Sequence, residues 1–195
     1  MSYKYYILFK PYGYLSQFTD EGGHPGLGKL VNLPKTVYPV GRLDHDSEGL
    51  LILTNDRTLN NKLLNPEQEH FRTYWVLVDG AVSDLALERL RKGVLISLSG
   101  VTYQTLPAKA EIMEEPDLPE RSVAVRVRKH IPTTWISLNL TEGKNRQVRR
   151  MTAMVGHPTL RLVRYSIEDL NLGKMKPGDL LEMPQDFLFK KLRLS

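Results

Sequence analysis

The sequence has 195 residues and no cysteine. Disulfides, zinc–thiolate sites and cysteine nucleophiles are thereby excluded. Long apolar runs are missing too, since none approaches the roughly 20 residues that a membrane-spanning helix needs. Met1–Lys10 has neither a long apolar stretch nor a small-residue cleavage site, so it reads as a strand and not as a signal peptide. Histidines are few: His24, His45, His70, His130 and His157 show no ligand spacing, which argues against a metal site. No internal repeat or low-complexity tract interrupts the chain. With hydrophobic residues at 41% and charged residues at 25%, the composition is ordinary for a globular protein and excludes wholesale disorder, collagen and coiled coil. The expectation is a soluble cytoplasmic protein of one domain, or of two small subdomains.

Acidic residues are scarce in one long stretch. The whole chain carries a net charge of +5, a value that says little about partners. From Arg121 to Ile167, however, ten lysines and arginines face a single acid, Glu142, for a local charge of +9. The remainder is therefore net acidic, at −4. So lopsided a distribution is the footprint of a phosphate-binding face. A merely solvated basic surface is the plainer reading, and the near-absence of acids weighs against it.

Periodicity supplies the elements. Tyr5–Phe9 is a short apolar strand ended by Lys10-Pro11-Tyr12-Gly13. Thr19–Gly28 holds four glycines and a proline and must be a loop. Leu50–Leu53 reads as a buried strand, and Leu59, Leu63 and Leu64 as one face of a short helix stopped by Asn65-Pro66. Tyr74–Val78 is aromatic and β-branched, hence strand. Ser83 is placed to N-cap a helix that turns Leu85, Leu87 and Leu90 inward and ends at Gly93. Val94–Leu98 and Ala110–Met113 are weaker strands, and Glu114–Glu120 is an acidic loop. Val123, Val125 and Val127 alternate with Ala124, Arg126 and Arg128, and Ile136, Leu138 and Leu140 alternate with polar residues; both patterns predict half-buried strands. Asn145 is expected to N-cap a helix carrying Val148, Met151, Thr152 and Val155, stopped by Gly156 and Pro158, before a last strand over Thr159–Ile167. Strands dominate without regular alternation, which predicts an α+β fold with a mostly antiparallel sheet.

Three segments carry candidate chemistry. In Gly41-Arg42-Leu43-Asp44-His45-Asp46-Ser47-Glu48-Gly49, a turn needing two glycines can fix one carboxylate, and Arg42 can keep it ionised. From spacing alone, a structural salt-bridge turn is the commoner case. In Leu140-Thr141-Glu142-Gly143-Lys144-Asn145-Arg146-Gln147-Val148-Arg149-Arg150, cations crowd a helix start, where they are unfavourable unless an anion compensates them. Arg149 lies one helical turn from Arg146. In Arg72-Thr73-Tyr74-Trp75, the two aromatics point to opposite faces, so only one can serve a site; a core role is the ordinary fate of either.

Together, Lys10-Pro11-Tyr12-Gly13, Gly41-Arg42-Leu43-Asp44, Glu48-Gly49-Leu50-Leu51, Leu53-Thr54-Asn55-Asp56, Arg72-Thr73-Tyr74 and Glu142-Gly143-Lys144 with Arg146–Met151 fall in a family order. The chain resembles the RsuA/RluB/RluE/RluF family of bacterial ribosomal RNA pseudouridine synthases over about residues 4–167. Gln17–Glu21, Ile131–Trp135 and Pro158–Leu162 resemble its RluE branch, which acts on large-subunit (23S) ribosomal RNA. The resemblance implies a mixed, mostly antiparallel sheet in two subdomains flanking a basic active-site cleft, with few helices. It implies one catalytic domain over residues 1–195, with no separate N-terminal RNA-binding domain, because the family strand starts near residue 4. Asp44 matches the essential aspartate, Tyr74 the tyrosine that stacks on the target base and takes part in proton transfer, and Arg149 the arginine that pairs with the aspartate. RNA contacts are expected from Arg42, Lys10, Leu140, Lys144, Arg146, Arg150, Arg161 and Arg164. No metal or organic cofactor is implied. The expected partner is 23S RNA, naked or in an assembling subunit, met by a monomer away from any membrane.

Other functions remain open at this level. A non-catalytic ribosomal RNA-binding or assembly factor would need the basic face but not Asp44. A synthase acting on small-subunit RNA would share every motif. A metal-dependent nuclease using Asp44, Asp46 and Glu48 leaves Tyr74 and the basic helix start unexplained.

Overall fold

The computed structural model describes residues 3–194. Its elements are β1 (Tyr5–Lys10), β2 (Tyr38–Pro39), β3 (Glu48–Thr54), α1 (Arg57–Leu64), β4 (Arg72–Asp79), α2 (Asp84–Lys92), β5 (Leu95–Leu98), β6 (Val101–Gln104), β7 (Lys109–Met113), β8 (Thr133–Leu140), α3 (Gln147–Met154), β9 (Thr159–Ile167), β10 (Leu170–Asn171), β11 (Leu180–Glu182) and α4 (Gln185–Lys191). The chain forms two units. One holds the chain up to His70 and again from Val163 onward, and the other holds Phe71–Leu162.

The first unit is built on β3, buried at all seven positions. An uninterrupted Leu-Leu-Ile-Leu run suits a strand covered on both faces. It pairs antiparallel with β1, from Tyr5 opposite Thr54 to Lys10 opposite Gly49. It also pairs antiparallel with β2, and parallel with β9 at Glu48–Val163 and Gly49–Arg164. One face packs Tyr6, Leu8, Leu51 and Leu53 against Leu27, Val31 and Val37. On the other, the Tyr5 ring meets Phe189 of α4 edge-on, with centroids 5.6 Å apart. Each such buried aliphatic side chain contributes roughly 1.5–3 kcal/mol.

In the second unit, β8 lies between β4 and β7, antiparallel to both. Tyr74, Val76 and Val78 of β4 join Ile136, Leu138 and Leu140 of β8 in a core closed by α2 and α3. The hairpin β5–β6 turns through Ser99 and Gly100, both at positive φ, as a two-residue hairpin loop requires.

The α+β class and the mixed, mostly antiparallel pairing are as expected. Ser83 caps α2 through a hydrogen bond from the Ala86 amide, and Gly93 ends it at φ +85°. Three local expectations fail, and several short elements go unforeseen. Residues 121–130 form no strand, and Val123 and Val127 are 53% and 55% exposed. An alternating pattern makes a strand only where the segment pairs with another strand, and residues 121–130 pair with none. Leu85 is exposed, while Ala86, Leu87 and Leu90 face inward at the i, i+1, i+4 positions of the buried stripe. α3 starts at Gln147, and its N-cap is Arg146 in the left-handed conformation rather than Asn145. Finally, β2, β6, β10, β11 and α4 carry no clear period, being short segments ordered by their neighbours.

Candidate active site

Asp44 lies in the first unit, in the loop between β2 and β3. The loop is pinned from below. Ser16 Oγ accepts the Leu43 amide (2.9 Å) and donates to the Leu43 carbonyl (2.7 Å). The Ser47 amide donates to the Asp44 carbonyl (3.0 Å), and the Gly13 amide to the His45 carbonyl (2.7 Å). Gly49 closes the loop at φ +118°, where a Cβ would collide with the Arg164 backbone. Asp44 is thus a half-buried carboxylate on a turn with little freedom. The His45 ring stacks on His24 of the glycine-rich loop, with centroids 4.2 Å apart.

Beneath this acidic loop sits Lys10, fully buried. Its Nζ donates to the Pro11 carbonyl (3.0 Å) and the Tyr14 carbonyl (2.7 Å). Burial pushes its pKa down to about 7, against the opposing pull of Glu48, Asp46 and Asp44; nearby Arg164 lowers it further. Arg164 is itself buried, its Nε donating to the Leu50 carbonyl (2.8 Å). Arg42, by contrast, is exposed.

Tyr74 and Arg149 lie in the second unit. Tyr74 stands opposite Leu138 in the ladder, 8% exposed, on the face that packs Leu140, Val148 and Met151. Arg149 is half-buried on the first turn of α3. The helix start is organised by Glu142, the one acid in the basic stretch and itself 7% exposed. Its Oε1 accepts from the Leu106 amide (2.8 Å) and from Gln147 Nε2 (2.6 Å), and its Oε2 from the Tyr103 hydroxyl (2.6 Å). That last bond, more than burial, pushes the Tyr103 pKa up to about 12. Gln147 Oε1 in turn accepts the Lys144 amide (2.9 Å). Lys144 is exposed, its ammonium 5.1 Å from the Tyr103 ring centroid. Arg150 donates to the Ser97 and Asn145 carbonyls (2.6 and 3.1 Å).

Several expected RNA contacts lie inside the fold instead. Lys10 and Arg164 are buried as described, Arg161 is buried with Nη2 on the Pro119 carbonyl (2.9 Å), and Leu140 is a core residue. Charged side chains this deep serve backbone carbonyls that would otherwise lack donors. Arg42 and Lys144 are exposed, and Arg146 and Arg150 half-buried. Ser16 and Tyr103 carry no motif signal, whereas Glu142 and Gln147 lie inside the family motif without an expected role, and a lone acid inside a basic run is a signal for Glu142. Among the described residues no group of three or more His, Asp or Glu converges as a metal site, and no helix is long and apolar enough to cross a membrane.

Comparison with known proteins bears on this arrangement. The RNA pseudouridylate synthase family profile matches residues 4–154. A Vibrio parahaemolyticus protein named ribosomal large subunit pseudouridine synthase E is 52% identical over 180 residues, covering 92% of this chain and 74% of that one. A Xanthomonas axonopodis pv. citri protein of the same name is 49% identical over 173 residues, covering 88% and 89%. A crystal structure of a pseudouridylate synthase superposes with a TM-score of 0.79 at 25% identity, covering 98% of this chain and 74% of that one.

Proposed function

The chain belongs to the RNA pseudouridylate synthase family, and from that premise we propose that it converts a uridine of large-subunit (23S) ribosomal RNA to pseudouridine. The observation that carries the choice of RNA is the likeness, over nine-tenths of the chain, to relatives named for the large ribosomal subunit. Both units serve this one reaction as a single catalytic domain, and the enzyme works as a cytoplasmic monomer on naked RNA or an assembling subunit.

The catalytic residues are Asp44, Tyr74 and Arg149. A base inside a helix cannot be reached, so the target uridine leaves its stack at a cost of a few kcal/mol. Tyr74 offers its ring to the extruded uracil. The Asp44 carboxylate promotes cleavage of the bond between N1 and C1′. The uracil turns, C5 bonds to C1′, the C5 proton departs to solvent, and N1, released from the sugar, takes up a proton. Atoms are conserved throughout, so the reaction is an isomerisation. Arg149 balances negative charge at the reaction centre. The pinning of Leu43 and Ser47 supports this reading, because a carboxylate used once per turnover must return to one position. Arg42, Lys144, Arg146 and Arg150 attract the backbone, while Lys10, Arg161 and Arg164 shape the loops from within.

The decisive experiment uses 23S RNA tritiated at uridine C5. Wild-type protein should release tritium, and Asp44→Asn should release none while binding RNA with near-normal affinity. Continued release by Asp44→Asn would remove Asp44 from the chemistry. Release from 16S RNA alone would move the substrate to the small subunit.

A further inference from the structure

The basic stretch sorts into two populations. Of its ten cations, Arg161 and Arg164 are buried and Arg150 is tied to carbonyls, whereas Arg126, Arg128, Lys129 and Lys144 are exposed. Three of those four lie on one short segment, residues 121–131, which contains no acid.

That segment is not built for stability. It forms no strand despite an alternating Val/Arg pattern. Val123 and Val127 are more than half exposed, and so contribute little to any core. Arg121 Nε and Nη2 donate to the Val123 and Ala124 carbonyls of the same segment. Arg126 and Lys129 form no ion pair among the described residues. Two anchors hold the segment to the second unit: Arg161 grips Pro119 just before it, and Arg128 Nε lies 3.4 Å from Oδ2 of Asp79, a buried residue at the end of β4. The chain before it is acidic, with Glu114, Glu115, Asp117 and Glu120, so the sign of the surface reverses at Arg121.

We propose that residues 121–131 are an RNA-binding arm, held in place by Arg128, in which Arg126 and Lys129 contact phosphates and Val123 and Val127 rest on sugar surfaces. The proposal rests on RNA being the substrate and adds where much of the affinity arises. Charge complementarity selects the occupant. A polyanion satisfies adjacent cations without an acidic partner, and release of its counterions supplies the driving force. The acidic stretch ahead repels the same backbone, so the RNA leaves the arm at Arg121.

The test is Arg126→Ala/Lys129→Ala, with binding to a 23S RNA transcript measured from 0.05 to 0.3 M salt. The affinity should fall several-fold at about 0.1 M, and the slope of log K against log salt should drop by about 1.5, for two lost phosphate contacts. Single-turnover tritium release at saturating enzyme should keep its wild-type rate, because the arm holds RNA and does no chemistry. Val123→Ser/Val127→Ser should weaken binding less and leave the slope alone. An unchanged slope in the charge variant, with an unchanged melting temperature, overturns the proposal. So does weakened binding to ribosomal particles but not to naked RNA, which would assign the arm to a protein. A wild-type protein that bound RNA with the full slope yet released no tritium would sink the proposed reaction and leave the arm standing.

Discussion

The loop before β3 and the loop before α3 are mirror images in charge. The first gathers Asp44, Asp46 and Glu48 near two buried cations, Lys10 and Arg164. The second gathers Lys144, Arg146, Arg149 and Arg150 around one buried anion, Glu142. Like charges repel, and each loop answers with opposite charge placed inside. The two solutions differ in quality. Glu142 accepts three hydrogen bonds, from β6, from the loop after it and from α3. Lys10 donates only to carbonyls of its own turn, and burial wins over the carboxylates around it. The acidic loop therefore leans on backbone geometry, at Ser16 and Gly49, while the basic loop leans on a side-chain network.

The largest effect should come from breaking that backbone geometry. Gly49→Ala places a Cβ against the Arg164 backbone at φ +118°, where neither strand can yield without breaking the β3–β9 pairing. A loss of about 3 kcal/mol or more is expected, read as a fall in the urea midpoint, with the Asp44 turn displaced. A near-normal midpoint would mean that the loop is not held at Gly49.

Breaking the anion network should cost somewhat less. Glu142→Gln keeps shape but removes the charge and one acceptor oxygen, so the Leu106 and Gln147 N–H groups are left with one neutral carbonyl and the Tyr103 hydroxyl must turn to accept, or the N–H₂ faces donors. About 2–3 kcal/mol should be lost, and the Tyr103 pKa should fall back from about 12. Spectrophotometric titration of tyrosine checks the second point independently of stability.

These two loops also show what the sequence could reveal. Helix α2 was readable end to end, because Ser83 and Gly93 act locally. The β3 run was readable because burial on both faces leaves no polar position to confuse the period. The fate of each cation was not readable: Arg161 inside and Arg126 outside differ only in what the fold brings near them. The Val123–Val127 pattern misled for the same reason, since a strand needs a partner the segment itself does not encode. Asp44, Tyr74 and Arg149 stood out through family resemblance, while spacing alone left Asp44 in a possible salt-bridge turn.

The charge on Lys10 gives the comparison a pH axis. Its folded pKa of about 7 lies below the ordinary lysine value of 10.5. Between those values the unfolded chain holds a proton that the folded chain has shed, so stability should rise as pH climbs from 7 towards 10. Below pH 7 both states are protonated and the penalty of burying the charge is complete. Lys10→Met should remove the rise, and urea midpoints at pH 7 and 9.5 in the two proteins measure the difference. An equal rise in both would mean that another group titrates there.

The smallest effect should come from Gly143, the glycine of the basic loop. It resembles Gly49 in sequence, since each directly follows an acid, Glu142 or Glu48. Its backbone, however, is outside the left-handed region, and a Cβ there would meet nothing within 4 Å. Gly143→Ala should therefore stay within about 0.5 kcal/mol of wild type, and a small gain is as consistent as a small loss because alanine restricts the unfolded chain. Measured beside Gly49→Ala under the same conditions, it isolates backbone geometry from charge. If the two substitutions cost the same, the basic loop is held by its backbone as well, and Glu142 would be a neutralising charge without a positioning role.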